Sequence, residues 1–216
     1  MPLNRPPNGW EPRIVAALEI LRPEAAELRA SSVVERLGTL LDRVLEWNAR
    51  SDLTAARDPD ELVDLFLADA AILATARATS AGQLWLDVGA GAGAPGLSLA
   101  LLRSDLSLVL VEPKQKRVAF LRLAASELGA KNVRVERARG EDLESSSCDV
   151  AVSRATLAPE RWLTLGAKLT RHQIWLLLAK ADPPELPSFS IVDDVRYQWP
   201  LTGSERRAVC FARDAR

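Results

Sequence analysis

The sequence predicts an α/β protein: a doubly wound, largely parallel sheet, closed by an antiparallel strand pair and preceded by a helical extension. Three observations predict it. From residue 83 to 213, short apolar runs of β type alternate with helical patterns, which is the mark of successive β-α-β units. The stretch Asp87-Val88-Gly89-Ala90-Gly91-Ala92-Gly93-Ala94-Pro95-Gly96 joins an apolar strand to an apolar helix. Residues 11 to about 79 carry helical periodicity alone. The expected division is a helical region over 1–79 packed on a sheet domain over 80–216.

In the first helix, Ile14, Ala17, Leu18 and Leu21 share one face. The second has Val33, Val34, Leu37, Leu40, Leu41, Val44 and Leu45 at helical spacing, and the polar run Asn48–Asp52 is expected to break it. Asp58 and Pro59 read as cap and first turn of a third helix carrying Leu62, Val63, Phe66 and Leu67. Leu84–Leu86 is an apolar strand, Leu97–Leu102 a helix and Leu106–Val111 a second strand. A helix follows from about Lys114 to Leu128, closed by Gly129. Asn132–Glu136 and Cys148–Val152 read as strands, Pro159–Leu169 as a helix and Ile174–Leu178 as a strand. Val192–Trp199 and Arg207–Phe211 form the closing pair, after a surface loop at Asp182–Pro187.

The glycine stretch carries the chemistry. Glycine allows backbone to approach a ligand without a Cβ in the way. Two registers overlap. Gly91, Gly93 and Gly96 satisfy the dinucleotide spacing G-x-G-x-x-G. Gly89, Gly91 and Gly93 after Asp87 give D-x-G-x-G-x-G, similar to motif I of S-adenosylmethionine methyltransferases. A pyrophosphate needs N–H donors at the helix start, and Pro95 removes one. An acid suits a sulfonium and an ammonium better than a pyrophosphate, so the second register is favoured, with Asp87 beside the cofactor. Glu112 ends the next strand, about twenty residues beyond the loop, where a ribose-binding acid belongs. Its two oxygens can accept both ribose hydroxyls.

Composition adds exclusions. Hydrophobic residues make up 48% and charged ones 26%, ordinary for a globular chain. A net charge of −1 gives no global argument for nucleic acid, so any basic face is local. Cys148 and Cys210 suggest neither a disulfide framework nor a metal site. With no apolar leader and no run of transmembrane length, a cytoplasmic protein off the membrane is expected.

The residues converge on a family. The chain resembles the GidB/RsmG family, methyltransferases that make 7-methylguanosine in small-subunit (16S) ribosomal RNA. The resemblance runs from about Leu40 to Phe211 and rests on order and spacing. Its parts are Trp47-Asn48, Asp52-Leu53-Thr54-Ala55, Arg57-Asp58-Pro59, the Asp87–Gly96 stretch, Glu112 and Lys116–Leu121. Arg139-Gly140-Glu141, Ser153-Arg154-Ala155, Leu178-Ala179-Lys180 and Gly203–Arg206 complete it. It implies a class I S-adenosylmethionine-dependent methyltransferase fold, with ribosomal RNA or a ribosomal particle as partner; the oligomeric state stays open, with a monomer favoured. It implies that Gly89, Gly91, Gly93 and Ala94 line the methionine part of the cofactor and Glu112 its ribose. Gly140 and Glu141 would border the adenine, and Arg154 would face cofactor and target base.

The chain departs from the family pattern at several positions. Leu65 and Phe66 stand where an Arg-His pair is usual, with Asp69 in the following acid position. Ala94 replaces a phenylalanine, Ala181 a glycine and Arg207 a histidine. A methyltransferase for another, small substrate and a non-catalytic module that binds cofactor or RNA therefore stay open as alternatives.

Guanine N7 has a free lone pair at neutral pH, so no general base is expected. The single histidine, His172, falls between a helix and a strand and reads as a surface residue. Cys148 reads as core. The scattered tryptophans read as packing residues rather than base-stacking ones. Arg57, Lys180, Arg206 and Arg207 lie at element ends, where phosphate contacts would be made.

Overall fold

The computed structural model describes residues 3–215. Three helices open the chain: α1 (Glu11–Leu21), α2 (Ser31–Ser51) and α3 (Pro59–Thr75). The alternating part is β1 (Leu84–Val88), α4 (Gly96–Leu102), β2 (Ser107–Val111), α5 (Gln115–Glu127), β3 (Val133–Glu136) and β4 (Cys148–Arg154). Then come α6 (Pro159–Leu169), β5 (Thr170–Leu178), β6 (Phe189–Gln198) and β7 (Glu205–Arg213).

The helix ends follow their local chemistry. Asp58 caps α3, its carboxylate accepting from the Glu61 N–H at 2.8 Å, with Pro59 in the first turn. The expected break at Asn48 does not occur. Helix α2 continues to Ser51, because polar residues off the buried stripe do not interrupt a helix, and it ends where Asp52 turns left-handed at φ 44°. Helix α3 is buried on nearly every side, Asp64 and Asp69 included. It lies between α1, α4 and the sheet, so its sequence is apolar beyond a single stripe.

The seven strands run in the order β3-β2-β1-β4-β5-β7-β6. β1 to β5 are mutually parallel, and β7 runs antiparallel between β5 and β6. Helices α1 to α5 share a core with one sheet face through Trp85, Leu108, Leu110, Val152 and Trp175. Helix α6 covers the other face over Leu86, Val88, Val109, Ala151 and Ile174. Alternate residues of one strand thus serve opposite layers, which is why the central strands read as unbroken apolar runs. The β3–β4 connection holds a short 3₁₀ turn at Gly140–Asp142 in place of a full helix. β5 starts at Thr170, which places His172 inside that strand rather than before it, with its side chain largely exposed.

Contacts far apart in sequence stitch the helices to the sheet. The Arg36 Nε–H donates to the Leu128 carbonyl at 2.9 Å, and Trp47 meets Phe120 edge-on at 5.5 Å. Buried Asp64 accepts from the Leu201 and Thr202 N–H groups and the Thr202 hydroxyl, tying α3 to the β6–β7 turn. Cys148 and Cys210 are core residues, and burial pushes both thiols up to about 12. Among the described residues no helix is long and apolar enough to cross a membrane, and no cluster of metal-ligating side chains occurs.

Candidate functional site

Strand order reverses between β1 and β4: the chain leaves β1 towards β2 on one side and β4 towards β5 on the other. The crevice beyond the carboxyl ends of two such strands is where open α/β sheets hold ligands. A cavity of ≈ 590 Å³ occupies it. The loop after β1 (Gly89–Ala92 and Ala94) with Glu112 forms one wall, and Arg154, Ala155 and Thr156 after β4 form the other. Leu53–Ala56, Glu61, Leu65 and Phe66, before and within α3, close it over.

The glycines of this loop serve different ends. Gly89, Gly91 and Gly93 all have positive φ. At Gly89 a Cβ would fall 2.3 Å from the Thr156 Oγ1, so no side chain fits between the two walls. Gly93 lies behind the loop instead, where a Cβ would meet Leu97 and Leu121, and does not border the cavity. Gly96 has ordinary backbone geometry but is packed solid: a Cβ there would fall 2.4 Å from Asp87 Oδ2 and 2.5 Å from a Leu110 methyl.

The structure corrects the expectation for Asp87. It is 1% exposed, does not border the cavity, and its Oδ2 accepts the Gly96 N–H at 2.9 Å. The acid holds the loop against the start of α4 rather than facing the cofactor directly. Burial pushes its carboxyl up to about 6, against the opposing pull of the Gly96 N–H. Because the folded value lies above the unfolded one, the folded chain binds more protons between pH 4 and 6, and this residue's contribution to stability falls as pH rises through that window. The shift of about two units corresponds to ~3 kcal/mol. From pH 4 to 6 the wild type is therefore expected to lose stability relative to Asp87→Asn, by up to that amount. Urea unfolding of both proteins across that range measures it, and parallel curves would refute the assignment.

The helix start also discriminates between ligands. Pro95 has no N–H, the Gly96 N–H goes to Asp87, and the Leu97 N–H goes to the Gly93 carbonyl at 2.8 Å. The Leu99 N–H goes to the Pro95 carbonyl. No row of free donors is left for a pyrophosphate. A glycine floor beside a carboxylate suits an uncharged ribose and a cationic methionine moiety, so these residues fit S-adenosylmethionine.

Glu112 is 2% exposed and has two structural partners that its spacing did not reveal. Its carboxylate accepts from the Gly91 N–H at 3.1 Å and from the Lys114 N–H at 2.9 Å. It brackets the glycine loop, and each oxygen keeps a lone pair for a hydroxyl in the cavity it borders. A second cavity of ≈ 240 Å³ shares Gly89, Pro113 and Thr156 with the first and is lined by Ala138, Gly140, Glu141 and Leu157. Gly140 is close-packed on Val88, which draws the 3₁₀ turn up to this edge.

Arg154 stands between cavities. Its Nη1 donates to the Leu65 carbonyl and, at 3.3 Å, to Asp69 Oδ2, while Asp69 Oδ1 accepts from the Tyr197 hydroxyl. Burial and the Asp69 charge hold the Tyr197 phenol well above its ordinary pKa, so it stays a donor. Leu65 and Phe66 give the cavity an apolar wall. Arg206 lies over the Trp199 ring at 3.9 Å, and Lys180 pairs with Glu205 at 3.0 Å; both border a further cavity with Arg196 and Arg207. Arg207 itself is held by Asp194 and Asp182 and is 9% exposed. Arg57 is exposed at the opposite rim, paired with Glu61. Tyr197 and Thr156 had no signal in the sequence, since neither lies in a motif with recognisable spacing.

Comparisons with known proteins bear on this site. The sequence model of the family described as rRNA small subunit methyltransferase G matches residues 33–186. Ribosomal RNA small subunit methyltransferase G of Myxococcus xanthus is 32% identical over 201 residues, covering 86% of this chain and 90% of that protein. The same-named protein of Methylobacillus flagellatus is 37% identical over 161 residues, covering 72% and 75%. That of Halorhodospira halophila is 42% identical over 135 residues, 62% of this chain and 63% of that protein, just under two thirds of its length. Among solved structures, a SAM-dependent methyltransferase from Aquifex aeolicus has a TM-score of 0.52 at 16% identity, covering 80% of this chain and 97% of its own. A 1,6-didemethyltoxoflavin-N1-methyltransferase of Burkholderia thailandensis, at 15% identity, also gives 0.52 over 84% and 90%. Those two likenesses establish a class I methyltransferase fold.

Proposed function

The chain belongs to the rRNA small subunit methyltransferase G family, which is S-adenosylmethionine-dependent, and from this we propose that it methylates guanine N7 in 16S ribosomal RNA. The observation that carries the reading is the convergence of the glycine loop, Glu112 and Arg154 on one cavity at the sheet's switch point. When bound, the cofactor supplies an electrophilic methyl: the N7 lone pair forms the new C–N bond as the C–S bond breaks and its electrons return to sulfur.

What the chain adds is position. Gly89, Gly91 and Ala94 let the methionine moiety lie against the backbone, Glu112 takes the ribose hydroxyls, and Gly140 and Glu141 border the adenine. Leu65 and Phe66 keep water from the reacting atoms. Holding two reactants in line supplies on the order of 7–11 kcal/mol of barrier reduction, and no proton has to be removed from N7 first. Lys180 and Arg206, on the same side as Arg154, are the candidates for phosphate contacts. Arg57 is a candidate on the other rim.

The test uses labelled S-adenosylmethionine with naked 16S RNA and with 30S particles from cells that lack the activity. Label recovered as 7-methylguanosine supports the reading, and RNA binding should weaken as salt rises. Label found only on small molecules of a cell extract would overturn it in favour of a small acceptor.

A further inference from the structure

We propose that another cavity beside the cofactor site, separate from the one lined by Gly140 and Glu141, receives the acceptor base itself, and that Arg154 and Asp69 select guanine over adenine there. This rests on the reading of RNA methylation above. The cavity measures ≈ 250 Å³ and shares Leu65, Arg154 and Ala155 with the larger one. A base seated in it would present one edge to the larger cavity past these shared residues. Leu177, Trp199 and Arg206 line it as well. The indole N–H of Trp199 is buried and has no acceptor among the described residues, an unmet donor at this wall.

Two charged groups stand in sequence from the shared residues inwards. Arg154 borders both cavities, whereas Asp69 borders the smaller one alone. Their contact at 3.3 Å leaves the Nε and Nη2 hydrogens of Arg154 outside the bonds it makes to Leu65 and Asp69. Each Asp69 oxygen, with one donor apiece from Tyr197 and Arg154, keeps a lone pair. The site therefore offers a donor followed by an acceptor.

Guanine matches that order. With N7 turned to the larger cavity, the next atoms along its rim are O6, an acceptor, and N1–H, a donor. Arg154 meets the first and Asp69 the second. Adenine inverts both, placing an amino group against Arg154 and a bare N1 against Asp69. The match also improves during the reaction. As N7 takes the methyl, the ring becomes cationic and its N1–H a stronger donor, so the bond to Asp69 strengthens in the transition state, where binding raises kcat.

The test uses the wild-type enzyme, because Asp69 is buried and its variants need not fold. Small-subunit RNA is assembled with guanosine, inosine or 2,6-diaminopurine riboside at the nucleotide that carries the label. Inosine keeps O6 and N1–H and loses the 2-amino group; diaminopurine keeps N7 and the 2-amino group but inverts the O6 and N1 positions. Inosine is expected within ~10-fold of guanosine in kcat/KM, and diaminopurine at least ~100-fold slower. Diaminopurine accepted within ~10-fold, or inosine rejected as strongly as diaminopurine, would overturn the assignment. No methylation of the guanosine RNA would instead overturn the functional reading, and this one with it. Where Asp69→Asn folds, as far-UV circular dichroism reports, kcat should fall ~100-fold with cofactor affinity unchanged. A loss in KM alone would count against it.

Discussion

Glu112→Ala is expected to weaken S-adenosylmethionine binding by about 100-fold or more, the largest functional effect of any single change in the cofactor cavity. Two hydrogen bonds from ribose hydroxyls to a carboxylate are worth ~1.5–3 kcal/mol each, and every 1.4 kcal/mol is roughly tenfold in affinity. The same change strips the Gly91 and Lys114 N–H groups of their acceptor, so the loop that forms the floor loses its bracket. Glu112→Gln is expected to fall between, since its amide must turn an N–H towards one of two backbone donors. Titration calorimetry on the purified protein measures all three affinities. A Glu112→Ala protein that binds within threefold of wild type would remove Glu112 from the site.

The largest stability effect is expected at Gly96→Ala. The added methyl would overlap Asp87 Oδ2 at 2.4 Å, a Leu110 methyl at 2.5 Å and Asp87 Cβ at 2.8 Å. Asp87 and Leu110 are 1% and 0% exposed, so neither can swing aside into solvent. Overpacking of this kind costs ~1–3 kcal/mol. Displacing Asp87 from the Gly96 N–H adds the ~1–3 kcal/mol of a buried group left unsatisfied. Gly82→Ala is the comparison: its φ is +78° but nothing lies within 4 Å of the new methyl. It should lose only the ~1–2 kcal/mol of a left-handed L-residue. Urea denaturation of both variants separates crowding from backbone strain, and an equal loss in the two would show that Gly96 is not packed as described.

Much of the architecture was legible in residue spacing. The Asp58-Pro59 start of α3 and the Gly129 stop after α5 depend on neighbours a few positions apart, and the closing antiparallel pair on two strands consecutive in the chain. The errors have a common origin. The polar run at Asn48 interrupts the apolar stripe and so predicts a break, yet the helix ends only where Asp52 changes backbone conformation. The apolar run that begins at Ile174 predicts a strand starting after His172, yet β7 pairs with Gln173 and β4 with Thr170, extending the strand. Strand limits are settled by partners, which spacing does not contain.

The candidate site divides the same way. The glycine loop, Glu112 beyond the next strand and the placement of Arg154 after β4 could be read from the chain, because strand-to-helix turns are local and their ligands gather at one sheet edge. Asp87 looked like a ligand group and is a brace, since its nearest donor, the Gly96 N–H, becomes a neighbour only once the loop has closed back on β1. Asp69 and Tyr197 are 128 residues apart and Arg154 is 85 from Asp69, so no periodicity could bring the three together. That required α3 to be packed into the core beside the ends of β4 and β6. Short-range geometry wrote the elements and the glycine loop into the residues themselves; the Asp69–Arg154–Tyr197 cluster, built from side chains on distant elements, exists only through their packing.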